Sequence, residues 1–146
     1  MEGYELSIVV NRPIEDVFAI LADLENDIKW RREWVEAKKT SEGPMGVGST
    51  IRMVGELLGR SIPTVYEVIE YEPNRRAGWK TVSGPLPLNF YRTFVRVEGG
   101  TQFTTKYTTD ARGLFKLILS LLAGSVKQQH QNDLHKVKEM LETRAL

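Results

Sequence analysis

The sequence has no cysteine. That excludes a disulfide framework and any thiolate metal site, and it suits a cytoplasmic or otherwise disulfide-independent protein. Histidine is almost as scarce, with His130 and His135 alone among 146 residues. No His-Glu-x-x-His or Gly-x-Ser-x-Gly pattern occurs, so neither a metal nor a hydrolytic nucleophile is expected, and no cofactor is indicated. An excess of charge of one sign is missing too: 20 basic against 19 acidic residues leave a net +1. The basic pairs Arg31-Arg32 and Arg75-Arg76 have acidic neighbours and no interleaved aromatics, which argues against nucleic acid as a partner. The longest apolar run, Leu114 to Ala123, falls well short of the ~20 residues a bilayer-spanning helix takes. It can still rest on a membrane as an interfacial segment, so transient membrane contact stays open to it. No basic region precedes an apolar core at the amino terminus, and no secretory signal is expected.

What is present organises itself around the last quarter. From Leu114 to Ala123 nearly every residue is apolar, whereas beyond Gly124 a single stripe remains: Val126, His130, Leu134, Val137 and Leu141. Those steps of three and four predict one amphipathic helix over Gly113–Arg144, enclosed or covering an opening at its start and packed on a sheet along its length. A bend or a change of packing partner is expected at Gly124-Ser125.

The rest of the chain predicts a sheet and its connections, within one domain covering 1–146. Glu5–Val10 alternates as a strand. A helix follows with Pro13 at its first position and Ile14, Val17, Phe18, Leu21 and Leu24 along one face, then a second short helix over Glu25–Arg32. Six strands come next in a meander. Gly43, Gly46 and Gly48 lack the setting of a phosphate loop and mark a tight turn. Leu58-Gly59-Arg60 is a bend, and Gly84–Pro87 is an extended linker. A three-residue loop, Glu98-Gly99-Gly100, places Tyr91, Thr93, Val95 and Val97 on the same side as Phe103, Thr105, Tyr107 and Thr109. Glu67 and Glu70 differ in strand parity, share no face, and with Glu72 read as solvated. The fold class is therefore α+β, a strongly twisted antiparallel sheet of about seven strands gripping the long carboxy-terminal helix, with two short helices after the first strand.

Several stretches together resemble one known family. Val10-Asn-Arg-Pro13-Ile-Glu-Asp-Val17-Phe18-Ala-Ile-Leu21-Ala-Asp23 with Trp30 after it, Gly46-Val-Gly48, Val68 followed by Glu72-Pro73 and Arg75-Arg76, Gly100-Thr101 with Thr104, and the closing Asp133–Glu142 resemble the START-like (SRPBCC) superfamily, in its polyketide cyclase/dehydrase and lipid-transport branch. The resemblance implies a helix-grip fold with a cavity between sheet and helix, and it implies no universal catalytic residue.

Candidate lining residues follow. The rings of Trp30, Tyr66, Trp79, Tyr91 and Tyr107, with Met53, serve equally well as cavity wall or as plain core. Thr81, Thr93 and Thr105 add polar groups on the predicted ring-bearing faces. Ile118, Leu119, Leu122 and Val126 are the helix residues expected to meet ligand, with the mouth near them and the Gly84–Pro87 linker. His130 lies on the packing stripe. It is either satisfied by a strand hydroxyl or carbonyl, or it faces the cavity as general acid or base with Tyr91 or Tyr107 across from it. The expected function is binding or transport of a small hydrophobic or amphipathic molecule such as a lipid, isoprenoid or aromatic polyketide. A cyclase or dehydratase acting on such a ligand is the alternative, and a chaperone-like module using the Leu114–Ala123 surface the third.

Overall fold

Strand-to-strand pairing extends the elements beyond what local alternation marks. The computed structural model describes residues 2–57, 59–110 and 112–146, without the side chains of Glu2, Leu57, Phe115 and Leu119. Strand β1 (Glu2–Val10) is followed by helix α1 (Ile14–Leu21) and a 3-10 helix (Leu24–Lys29). Strands β2 (Trp34–Lys39), β3 (Thr50–Leu57), β4 (Arg60–Glu72), β5 (Arg76–Ser83), β6 (Leu88–Val97) and β7 (Gly100–Thr109) lead to helix α2 (Gly113–Glu142). The seven strands form one antiparallel sheet in the order β1-β7-β6-β5-β4-β3-β2. β1 starts at Glu2, not at Glu5, because its register with β7 runs from Glu2 opposite Thr109 to Val10 opposite Thr101.

α1 buries Ile14, Val17, Phe18 and Leu21, the face its periodicity predicts. Pro13 sits just outside the helix as its N-cap, with extended ψ, and not at the first helical position. The second short helix is a 3-10 segment ending at Lys29, not an α-helix reaching Arg32. Its Asp23 cap accepts from the Glu25 amide at 3.0 Å, and its Asp27 is pulled wholly inside.

Two registers differ from expectation. The last hairpin turns on two residues, Glu98 and Gly99, so Val97 pairs with Gly100 and Phe103 with Phe94. Gly99 takes the positive φ of 91° that this turn requires. Phe90, Arg92 and Phe94 consequently share the inner face with Phe103, Thr105 and Tyr107, and the side chains of Tyr91 and Thr93 point the other way. Tyr91 lies against Gly78, where an added Cβ would come within 2.6 Å of the ring, with the Arg76 guanidinium 4.8 Å from its centre. In β4, an irregularity between Val68 and Glu70 changes the parity, so Glu67 opposes Lys80 and Glu70 opposes Gly78 on one outer face. Each of these carboxylates then has a cation, Lys80 for Glu67 at 3.9 Å and Arg76 for Glu70. The sequence expectation that they share no face fails because one extra residue reverses alternation.

α2 is a single helix of 30 residues, about 45 Å long. Leu134, Val137 and Leu141 enter the core. The described side chains from Arg112 to Gln128 are all exposed, including Leu114 at 72% and Leu121 at 77%. The change of environment expected near Gly124-Ser125 thus falls a turn later, at Gln129. Leu58, in the predicted bend, lies outside the described residues.

Candidate ligand-binding site

The sheet curls so that rows of inward side chains cross it. One row runs Tyr4, Tyr107, Phe90, Trp79 and Val68 across β1, β7, β6, β5 and β4. Trp79 stacks on Phe90 at 4.9 Å, Tyr66 meets Phe90 edge-on at 5.1 Å, and Phe90 and Tyr107 lie 6.0 Å apart. Trp34 of β2 reaches Tyr66 at 6.2 Å, passing over Gly55, where a Cβ would crowd its ring at 3.2 Å. The predicted residues Trp30, Met53, Tyr66, Trp79, Thr105 and Tyr107 all lie in this buried interior. Thr81 shares the inner face with Trp79, but its hydroxyl is engaged with the Leu88 backbone, donating to its carbonyl at 3.2 Å and accepting from its amide at 3.1 Å.

The next row places Arg92, fully buried, at the middle of the sheet. Its guanidinium binds both oxygens of Asp27, at 2.9 and 2.6 Å, and donates to the Leu21 carbonyl at 2.9 Å. Trp30, Trp79 and Phe90 surround it at 5.2 to 5.7 Å. A bidentate, desolvated pair of this kind pins the 3-10 helix to the sheet, and removing one partner strands a buried charge.

From Asp27 the polar contacts continue to Arg31, Glu33 and α2. Arg31 lies 3.4 Å from Asp27 and 2.5 Å from Glu33, and 5.8 Å from the ring centre of Tyr107. Glu33 accepts from the Gln129 amide at 2.8 Å and lies 3.6 Å from Nε2 of His130. The Tyr4 hydroxyl donates to Nδ1 of His130, and Tyr107 stacks on the imidazole at 4.9 Å. Since β1 and β2 are the two edges of the sheet, His130 and Gln129 tie both flanks of the half-barrel to one turn of α2. Burial alone would raise the Glu33 carboxyl, but Arg31 and His130 outweigh it and hold it well below the usual range. Burial opposes the charge on Arg31, yet Glu33, Tyr107 and Asp27 keep it firmly protonated. Burial also pushes the Tyr4 and Tyr66 hydroxyls well above their ordinary values, so both remain hydrogen-bond donors. Asp133, beside this group, is raised by burial and by Glu33.

Near Arg31 some donors have no acceptor. The indole N–H of Trp34, whose ring lies 5.7 Å from the Arg31 guanidinium, is buried and unpartnered among the described residues, as are those of Trp30 and Trp79 and the Thr105 hydroxyl elsewhere in the interior. Residues of α2 that precede its core stripe by fifteen positions, about 4.2 turns, lie within roughly a sixth of a turn of it. Leu122 and Val126 stand in that relation to Val137 and Leu141, yet they are 41% and 37% exposed. Ile118, one turn before Leu122, is 42% exposed and lies between that residue and Leu114 around the helix. The side chain of Leu119 lies outside the described ones. A separate cleft of about 260 Å³ between β1 and α2 is lined by Leu6, Ser7, Ile8, Gln131, Leu134 and His135.

Sequence reasoning missed Tyr4, Asp27, Arg31, Glu33 and Arg92. The one available signal was Arg92 between Phe90 and Phe94, which a two-residue Glu98-Gly99 loop would have set facing inward. Tyr91 was placed across from His130 and is not; Tyr107 is. Among the described residues no three histidine or acidic side chains cluster as a metal site, and no helix is long and apolar enough to cross a membrane.

A curled antiparallel sheet closed by a carboxy-terminal helix, with aromatic and buried polar side chains on its inner face, defines the helix-grip class. The chain belongs to the polyketide cyclase/dehydrase and lipid transport family, which it matches over residues 1–142. Among solved structures it is similar to the Zhui aromatase/cyclase of a Streptomyces species, with a TM-score of 0.75, 16% identity, and 99% of this chain and 96% of that one covered. A START superfamily protein from Mycobacterium smegmatis gives 0.74 at 17% identity, with 95% and 98% covered. A Rhodobacter sphaeroides protein gives 0.71 at 20%, with 99% and 93% covered. At these identities the likeness is one of fold. No match is found among curated proteins.

Proposed function

We propose that the protein binds and carries a small, largely apolar molecule bearing an acceptor oxygen, such as a carbonyl or carboxylate, between the inner sheet face and the first half of α2. The observation that carries this reading is the set of buried donors without a hydrogen-bond partner among the described residues, the indole N–H groups of Trp30, Trp34 and Trp79 and the Thr105 hydroxyl, within an otherwise aromatic interior. A mostly apolar site with a few convergent polar groups is the usual construction for small ligands. Family membership supports the ligand class, and the lipid, isoprenoid or polyketide character of the molecule is our inference from it.

Carriage is favoured over turnover by the state of His130. Both its nitrogens are occupied, Nδ1 by the Tyr4 hydroxyl and Nε2 by its approach to Glu33, which fits an imidazole closing the half-barrel better than one offered to a substrate. Native mass spectrometry of the purified chain tests the proposal. A species heavier than the 16.6 kDa chain that organic extraction returns to that mass is expected, and Tyr66→Phe with Tyr107→Phe should lower its share. A chain that neither retains a small molecule nor takes up an added fatty acid would contradict it.

A further inference from the structure

Helix α2 brings a third carboxylate to the polar group of the interior. Asp133 lies one turn beyond Gln129 and His130 and one turn before Val137, so it faces inward with them and is only 5% exposed. The two guanidinium groups there are engaged with other carboxylates. Arg92 holds both oxygens of Asp27, and Arg31 lies against Asp27 and Glu33. The Arg32 backbone N–H supports the Asp133 carboxylate, yet its Oδ2 is buried with no hydrogen-bond partner among the described residues. A buried acceptor left in that state is costly, and few occur in a folded protein.

The surroundings define what would complete it. An ionised carboxylate only accepts, so the complement is an O–H or an N–H. The chain's own phenol at this place is already used: Tyr4 is near enough to feel the charge of Asp133, but its hydroxyl donates to His130. An ammonium would have to shed its water beside the Arg31 guanidinium, which repels it. A hydroxyl supplies the donor and brings no further charge into the interior.

We infer that Asp133 is a specificity-determining residue of the binding site, its Oδ2 accepting a hydrogen bond from a hydroxyl of the carried molecule. The inference rests on the carriage reading and adds a second polar point to it. The ligand then offers an acceptor oxygen to the indole N–H groups of the sheet side and an O–H to α2. A site built to bond a hydroxyl discriminates strongly against an analogue that lacks one, because the analogue leaves the buried oxygen unpaired.

Quenching of the interior tryptophans by two probes tests it: 2-naphthol and 2-methylnaphthalene, which differ by a hydroxyl in place of a methyl group. Asp133→Leu removes the acceptor and should weaken 2-naphthol by about tenfold or more, the loss expected for a hydrogen bond to a charged group. The same variant should hold 2-methylnaphthalene to within about twofold, so the result is a change in preference between probes and not a general loss of the site. Asp133→Asn keeps an acceptor without the charge and should weaken 2-naphthol by roughly fivefold; it carries the test if the leucine variant does not fold. Equal losses for the two probes, or no loss for either, would overturn the inference and leave carriage standing. Uptake of neither probe by the unsubstituted chain would overturn carriage, and this inference with it.

Discussion

The two halves of α2 are one helix in backbone and opposite in situation. From Gln129 onward it is clamped: Leu134, Val137 and Leu141 lie in the core, Gln129 and His130 hold both sheet edges, and Arg12 donates to the carbonyls of Leu141 and Leu146 at 3.2 and 2.7 Å. From Gly113 to Gln128 the described side chains are exposed although the sequence there is the more apolar of the two. Hydrophobicity alone therefore does not predict burial. The half with fewer apolar residues is buried because its stripe meets the core and its polar neighbours find partners there, whereas the described side chains of the greasier half are not covered by the sheet.

That contrast can be broken from its deepest point outward. Asp27→Ala leaves Arg92 charged and buried beneath the clamped half, and should destabilise by about 3–5 kcal/mol in urea unfolding. Leu141→Ala, at a fully buried position, should cost about 2–5 kcal/mol. The Glu33 clasp adds a pH dependence. A carboxylate held below its unfolded value stabilises above the unfolded pKa of ~4.3, and that contribution is lost as pH falls through the lowered folded value. Glu33→Gln should therefore flatten the acid limb of stability measured below about pH 4.3. Asp133 has the opposite sign: raised in the folded state, its ionised form destabilises at neutral pH, so Asp133→Asn should raise the midpoint at pH 7 and leave it little changed in strong acid. Leu121→Ala should shift stability by no more than ~0.5 kcal/mol, and a cost like that of Leu141→Ala would erase the distinction between the halves.

The sequence made some of this legible and hid the rest for definable reasons. The order of elements, the inner face of α1 and the core stripe of α2 could be read because each repeats at its own period over two or more turns. Tyr91 and Thr93 were assigned inward because a single residue in the Glu98-Gly99-Gly100 loop decides which alternate set of β6 faces the core, and both sets contain apolar residues. Glu67 and Glu70 share a face through an irregularity that no local pattern marks. Arg31, Asp27 and Arg92 were invisible because a buried ion pair is made by residues 65 positions apart, each of which looks like solvated charge when read alone. The exposure of Leu114 and Leu121 stayed one of several readings, beside enclosure and ligand contact, because an apolar run does not say which of its faces has a neighbour.

Amide hydrogen exchange along α2 tests the account most directly. In the free chain, slow exchange should be confined to the segment around 130–141, with amides from 114 to 127 exchanging at least about tenfold faster, because local opening there breaks few packed contacts. Uniform protection along the whole helix would contradict it, since the first half would then have a partner within the chain.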